Sequence, residues 1–303
     1  MKIVFVGAVE GSRIALDALV KAGFPPELVI TLPRELAGRH SDYADLSTMA
    51  KWAGSKVLFT QNINAPEVID VMRRAEPDLC LLIGWSQICK AEFRAIARYG
   101  NIGFHPAPLP RFRGRAVIPW TILQEEATSG STLFWLDEGT DSGPILMQSL
   151  FPVAPDETAR SLYSKQVANL AAMLPQAVRL VQGGSAPSIP QDQTLASYCA
   201  RRTPDDGIID WHEAANSILR FTRAAGEPYP GAFTFCQGEK LFIDRAVLYS
   251  ESHRFVGLIG QIQSCTASGF TVRCGDGNCI EVLLWRWKSG GKPRIHSKLS
   301  GAH

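Results

Sequence analysis

Short apolar runs alternating with stretches of helical period set the rhythm of the first 184 residues. Residues 3–6 form an apolar run of strand length. Ser12 is placed to cap a helix in which Ala15, Leu16, Leu19 and Val20 recur at helical spacing before Gly23 ends it. Strands are predicted over residues 28–32, 57–60 and 79–83, with helices over 43–53 and 66–74, the latter carrying proline in its first turn. Asn101–His105 reads as a further strand that runs straight into the proline-rich segment PAPLPRFRGR. Residues 131–136 and 145–150 are strand-like again, and a helix over 158–181 ends at Gly183-Gly184. This alternation predicts βαβ units on a Rossmann-like parallel sheet that closes near residue 184.

The pattern then changes. Residues 185–207 are polar and proline-containing and read as a linker. A short helix over 214–224 follows, and residues 231–235, 241–247, 256–262, 270–273 and 280–287 are five short β runs, the number that a small OB-like barrel needs. The expected organisation is α/β: a catalytic domain over 1–184, a linker over 185–207 and an OB-like C-terminal domain over 208–303.

Composition agrees with two domains, because 303 residues at 46% hydrophobic can bury one large core and one small one. Charges nearly cancel, at net +2, so no overall field singles out nucleic acid or an anionic membrane as a partner. The densest basic stretch, Arg286, Lys288, Lys292, Arg294 and Lys298, is expected to be a solvated terminus. The apolar stretch at the N-terminus is too short for a signal peptide, and no run approaches the roughly 18 apolar residues of a membrane span, so a cytoplasmic location is expected. Seven scattered cysteines form no C-x-x-C pair and have no histidine at zinc-finger spacing, so they read as reduced, mostly core-filling thiols, and no metal is expected.

A βαβ start with glycines invites a dinucleotide cofactor, and the first turn argues against one. Gly7 and Gly11 are spaced G-x-x-x-G, not the G-x-G-x-x-G that lets backbone approach a pyrophosphate, and no acid follows the second strand to take a ribose hydroxyl. His105 is the stronger signal, because ligands of open α/β sheets bind outside the carboxyl ends of the strands, where this residue stands before a rigid loop.

The segment GFHPAPLPRFRGRAVIPW, followed after about 20 residues by LDEGTDSGPILMQ, resembles the core of the formyltransferases that use 10-formyltetrahydrofolate. His105, Leu109-Pro110, Arg113-Gly114 and Asp141-Ser142-Gly143 fall in register on that family's N-x-H-x-x-x-L-P-x-x-R-G and D-x-G motifs. RRTPDDGIIDWHEAA and EPYPGAF extend the resemblance towards the C-terminus, and the last 40 or so residues match least well. The resemblance implies that His105 and Asp141 are the catalytic acid–base pair. A formyl group moving from folate to an amine passes through a tetrahedral oxyanion, and the attacking amine must lose a proton. It also implies a pterin slot formed by Gln87, Ile88 and Cys89 on one side and Asp137, Glu138, Gly139, Thr140 and Asp141 on the other, with Arg115 against the folate.

One position departs from the family pattern. Most of these transferases carry, two residues before the histidine, an asparagine that donates to the developing oxyanion, and here Gly103 stands there. Asn101 lies on the same strand face but roughly 13 Å from His105, too far to substitute. The glycine is expected to leave room for another donor. Its presence keeps 10-formyltetrahydrofolate hydrolysis, and a catalytically silent folate-binding relative, as alternatives.

For the acceptor, the run IGWSQI and RGRAVIPW resemble the branch acting on nucleotide-linked 4-amino-4,6-dideoxy sugars of cell-surface polysaccharide and lipopolysaccharide synthesis. Trp85 or Trp120 would stack on base or sugar there. The stretch PRELAGRHSDYADL sets Glu35, Asp42 and Asp45 against Arg34, Arg39 and His40, which disfavours methionyl-tRNA, another acceptor in the family, as do its shortness and its lack of a basic insertion. Another small-metabolite amine remains a further alternative. A homodimer is expected only from the frequency of two-fold assemblies.

Overall fold

The computed structural model describes residues 1–288 and 290–301. In chain order the elements of the first part are β1 (Ile3–Val6), α1 (Glu10–Lys21), β2 (Leu28–Thr31), α2 (Ser47–Trp52), β3 (Lys56–Phe59), α3 (Pro66–Ala75), β4 (Leu79–Leu82), α4 (Ala91–Arg94) and β5 (Asn101–His105). They continue with β6 (Arg113–Gly114), α5 (Val117–Leu123), β7 (Thr128–Trp135), β8 (Ile145–Pro152), α6 (Ala159–Gln182) and β9 (Tyr198–Cys199). Then come α7 (Ala215–Ala225), β10 (Ala232–Cys236), β11 (Glu239–Tyr249), β12 (Ile262–Cys265), β13 (Phe270–Arg273) and β14 (Cys279–Trp287).

Two compact units result. The first comprises residues 1–117, 128–152 and 163–200, and the second residues 118–127, 153–162 and 201–303. Residues 185–200, read from sequence as linker, fold with the first unit, where β9 pairs in parallel with β6.

Among the described residues of the first unit, seven strands form one sheet in the order β3-β2-β1-β4-β5-β7-β8. β1, β2 and β4 are buried along their whole length, as strands covered on both faces must be. Ile3, Phe5, Leu79 and Leu81 face a core shared with Leu16 and Leu19 of α1 and Leu170 and Leu174 of α6. Val4, Val6, Cys80 and Leu82 face the opposite core with Ile69 and Met72 of α3 and Phe93 of α4. The sheet is mixed, not wholly parallel: β7 runs antiparallel to β5, and β8 to β7, because only a short loop joins those last two strands.

Three local expectations are corrected. Ser12 does not begin α1; Val9 occupies the cap position, and Ser12 Oγ reaches back to accept the Ala8 and Val9 N–H groups while donating to Ile83 O. The helix expected over 43–53 is confined to α2, since the Asp45 carboxylate accepts the Ser47 N–H and Tyr43 bridges to Val9 instead. The strand expected over 256–262 begins only at Ile262. The chain before it turns through a Leu258–Gln261 hydrogen bond, leaving Val256 97% exposed.

In the second unit the five antiparallel strands lie in the order β10-β11-β14-β13-β12 around Trp211, Ile218, Leu241, Phe270, Val282 and Leu299. Residues 296–300 join the two edges. Ser300 exchanges hydrogen bonds with Phe235 of β10, while Leu299 N–H donates to Gly260 O and Ile262 N–H to Ser297 O, so the sheet closes into a barrel. The basic stretch is therefore tied down through its backbone, while the side chains of Arg286, Lys288, Arg294 and Lys298 stay exposed to solvent as expected. Arg286 pairs with Asp244 at 2.8 Å, and Lys292 donates to the carbonyls of Thr266 and Ala267. No described helix is long and apolar enough to cross a membrane.

Leu299 is 1% exposed, and Leu299→Ala is expected to destabilise the protein by about 2–5 kcal/mol in urea unfolding monitored by tryptophan fluorescence. A change below about 0.5 kcal/mol would show that the closing segment contributes little.

Candidate active site

His105 is the last residue of β5, and the loop after it is held by side chains from its neighbours. Prolines supply carbonyl oxygens but no N–H, so this loop needs donors from outside. Gln166 of α6 donates to Pro106 O at 2.6 Å, Thr132 of β7 to Ala107 O at 2.7 Å, and Gln148 of β8 to Leu109 O at 2.9 Å. Thr132 is also the register partner of His105. The same strands that bury the core thus fix where the imidazole stands.

His105 is 5% exposed. Its Nε2 lies 2.7 Å from Phe112 O and its Nδ1 3.4 Å from Asp141 Oδ2. A carbonyl oxygen only accepts, so Nε2 carries a hydrogen and the neutral imidazole keeps its lone pair on Nδ1. That lone pair faces the Asp141 carboxylate. The same carboxylate oxygen accepts the Gly114 N–H at 2.8 Å, which brings both sequence motifs to one point.

The backbone here is bent into uncommon conformations. Phe112, Ala116 and Asp141 have φ of 59°, 53° and 51°, each costing on the order of 1–3 kcal/mol that surrounding contacts must offset. Two glycines are required by close approach. A Cβ on Gly114 would lie 2.6 Å from Cys199 O, and one on Gly143 1.8 Å from Trp135 O. The R-G and D-x-G patterns therefore have steric causes.

Sequence reasoning placed Arg113 in a motif but gave it no role, and it missed Gln191 altogether. Arg113 is 1% exposed, the largest of the fully buried side chains. Its Nε and Nη2 donate to Gln191 Oε1 at 3.2 and 2.7 Å, and Nη1 donates to Gln193 Oε1 and Tyr198 OH at 2.9 and 3.1 Å. No ion pair joins it to a carboxylate among the described residues. A buried charge costs several kcal/mol to desolvate, so these neutral acceptors are what keep it inside. Gln191 passes the contact on, its Nε2 donating to Asp141 O at 2.8 Å and Gly143 O at 2.7 Å. No apolar period marks this glutamine in the sequence.

The residues expected to form a pterin slot line two loops. Gln87 clamps the turn after β3 by accepting from Ile63 N–H and donating to Gln61 O. The carbonyls of Ile88 and Cys89 are taken by Asn64 and Arg94, whereas their N–H groups meet no acceptor among the described residues. Burial pushes the Cys89 thiol up to about 12. On the other loop the Asp137 carboxylate accepts from Gly139 N–H and Ser142 Oγ, leaving Glu138, Gly139 and Thr140 exposed. Arg115 donates to Ser86 O at 2.9 Å, beside Gln87. Trp85 packs on the α3 and α4 side with its Nε1 unpaired, while Trp120 belongs to the second unit, where the Arg202 guanidinium covers it.

Gly103 does not leave the expected space. A Cβ there would lie 2.8 Å from Leu136 Cδ2 and 2.9 Å from Phe134 Cζ, so apolar side chains fill the position. Asn101 is 3% exposed and serves the fold, donating to Arg94 O.

Comparison with known proteins gives this arrangement its class. The family described as formyl transferase matches residues 1–178, and the formyl transferase C-terminal domain matches residues 201–302. The chain belongs to the formyltransferase family and is an enzyme of that kind. Among its relatives, methionyl-tRNA formyltransferase of Syntrophus aciditrophicus is 33% identical over 92% of this chain and 89% of its own length. That of Symbiobacterium thermophilum is 32% identical over 98% and 91%. Among solved structures, WlaRD, a sugar 3N-formyl transferase determined with dTDP and 5-N-formyl-THF, is similar with a TM-score of 0.67 at 20% identity, covering 96% of this chain and 99% of that one. An N-formyltransferase from Helicobacter canadensis in complex with folinic acid and dTDP-3-aminofucose gives 0.66 at 21% identity, over 93% and 99%. At such identities the likeness is one of fold.

Two outcomes are expected from the packing. Gly103→Asn should lower stability by about 1–3 kcal/mol in thermal or urea unfolding, because Leu136 and Phe134 must move; an unchanged or higher stability would contradict the filled position. With its thiolate at about 10⁻⁴ of the population at pH 8, Cys89 should escape iodoacetamide while exposed Cys265 is alkylated, as read by peptide mass spectrometry.

Proposed function

We propose that this enzyme transfers the formyl group of 10-formyltetrahydrofolate to the amine of a nucleotide-linked 4-amino-4,6-dideoxy sugar, with His105 and Asp141 as its catalytic acid–base pair. The observation that carries the reaction is the meeting of His105 Nδ1 with an Asp141 carboxylate held by Gly114 N–H. The folate is the formyl donor. Its pterin would lie between the 87–89 and 137–141 loops, where the N–H groups of Ile88 and Cys89 offer donors and Arg115 stands alongside.

The chain's own residues would then act as follows. Asp141 faces Nδ1 and holds the imidazole where its ring would stand close to the developing oxyanion. As the amine attacks the formyl carbon, the carboxylate takes its proton directly or through water, and when the tetrahedral intermediate collapses the C–N10 bond breaks and that proton passes to N10, releasing tetrahydrofolate. At 3.4 Å the pair is longer than the about 2.7–2.9 Å of a tight charge-assisted bond and would shorten as charge develops on the reacting atoms beside it.

Support for the sugar acceptor is the loop after β2. Its acids are engaged within the first unit, Asp42 accepting from Tyr163 OH and Asp45 from Ser47 N–H, and Glu35 further offsets Arg34 and Arg39. Such a loop presents little net charge to a polyanion. Transfer to methionyl-tRNA is the second reading, favoured by the 32–33% identity to enzymes of that name over nearly the whole chain.

The test incubates the protein with 10-formyltetrahydrofolate alone, with UDP- and dTDP-linked 4-amino-4,6-dideoxy sugars, or with methionyl-tRNA, following tetrahydrofolate release and product mass. Formyl gain on a sugar, with release dependent on that sugar, is expected. Formylation of methionyl-tRNA only would overturn the acceptor, and formate without any acceptor would make the protein a hydrolase. His105→Ala and Asp141→Asn should each lower turnover at least about 100-fold with an intact fold, and near-normal activity in either would refute its assigned role.

A further inference from the structure

We infer that Gln191, oriented by the buried guanidinium of Arg113, is a positioning residue that fixes Asp141 against His105. The inference rests on the catalytic reading of that pair and adds residues from a segment the sequence presents as a linker.

The Gln191 amide has no freedom left. Its Oε1 accepts twice from Arg113, and its Nε2 donates to the carbonyls of Asp141 and Gly143. Arginine only donates and carbonyls only accept, so the amide cannot be flipped without breaking four hydrogen bonds. The two carbonyls flank the turn in which Asp141 has φ 51°, and holding both sets the direction in which its side chain leaves the backbone. That conformation is one a non-glycine residue keeps only under external restraint.

Arg113 acts at both ends of Asp141. Through Gln191 it holds the main chain, and its neighbour Gly114 donates to the carboxylate. The guanidinium also polarises the intervening amide, strengthening its two donations. All four contacts of the amide go to Arg113 or to backbone carbonyls, so Gln191 acts through Asp141 and is not itself a catalytic residue.

Gln191→Glu separates positioning from stability. The carboxylate still pairs with Arg113, but both N–H donors are lost and an oxygen is set against the carbonyls of Asp141 and Gly143. The melting temperature should not fall, kcat should drop at least tenfold, and KM for 10-formyltetrahydrofolate should stay within about twofold. Placed on Asp141→Asn, the same substitution should cost less than about twofold more, since its route to the reaction has been removed. If Gln191→Glu is poorly folded, Arg113→Met with Gln191→Leu replaces charge and acceptor together by apolar groups, and the same kcat loss is expected.

A variant with kcat within twofold of the parent, while Asp141→Asn is inactive, would overturn the inference and leave the catalytic pair standing. Equal losses of kcat in both backgrounds would also overturn it. Near-normal activity of Asp141→Asn would instead remove the catalytic reading and this inference with it.

Discussion

The convergence of two distant loops on His105 is the contact on which the rest of the first unit depends. One loop brings the Phe112 carbonyl to Nε2 and the other brings the Asp141 carboxylate to Nδ1, and each nitrogen is thereby given a different task. Burying an imidazole between two acceptors is tolerable only if both loops are held rigidly. The donors on Thr132, Gln148 and Gln166 do so on one side, and Gln191 does so on the other.

This arrangement explains why local strain accumulates around the site. Left-handed backbone at Phe112, Ala116 and Asp141 would relax if its hydrogen-bonding partners were absent. At Phe112 and Asp141 the partners are His105 of β5, Gly114 of β6, and Ser197 and Gln191 of the segment before β9, while β7, β8 and α6 hold the carbonyls of Pro106, Ala107 and Leu109 earlier in the same loop. Site and core are therefore one packing problem, with the charge of Arg113 enclosed because its acceptors also brace the turn.

The second unit solves a different problem. A five-stranded sheet has two edges, and here residues 296–300 pair with both, so main-chain groups that would otherwise face water are paired within the unit.

Much of this was legible from the order of residues. Fully apolar runs at residues 3–6, 28–31 and 79–82 announce strands buried on both faces, and His105, Arg113-Gly114 and Asp141-x-Gly143 announce a site because their spacing resembles a known family. The local misreadings share a cause. Ser12, Tyr43 and Val256 carry the right propensity for the element expected, but Ser12 and Tyr43 find their partners elsewhere in the chain, and Val256 is left exposed ahead of a turn. Periodicity is a property of neighbouring residues, and by itself it determined the α/β and β organisation, while the resemblance of the motifs to a family is what named His105 and Asp141 as the pair proposed to react. Only the tertiary structure decided that Gly103 is filled, that Gln191 reaches Asp141 across 50 residues, and that a basic tail closes a barrel. Each of these is a contact between segments far apart in sequence, where side-chain volume and hydrogen-bond demand are satisfied by partners that no local pattern names.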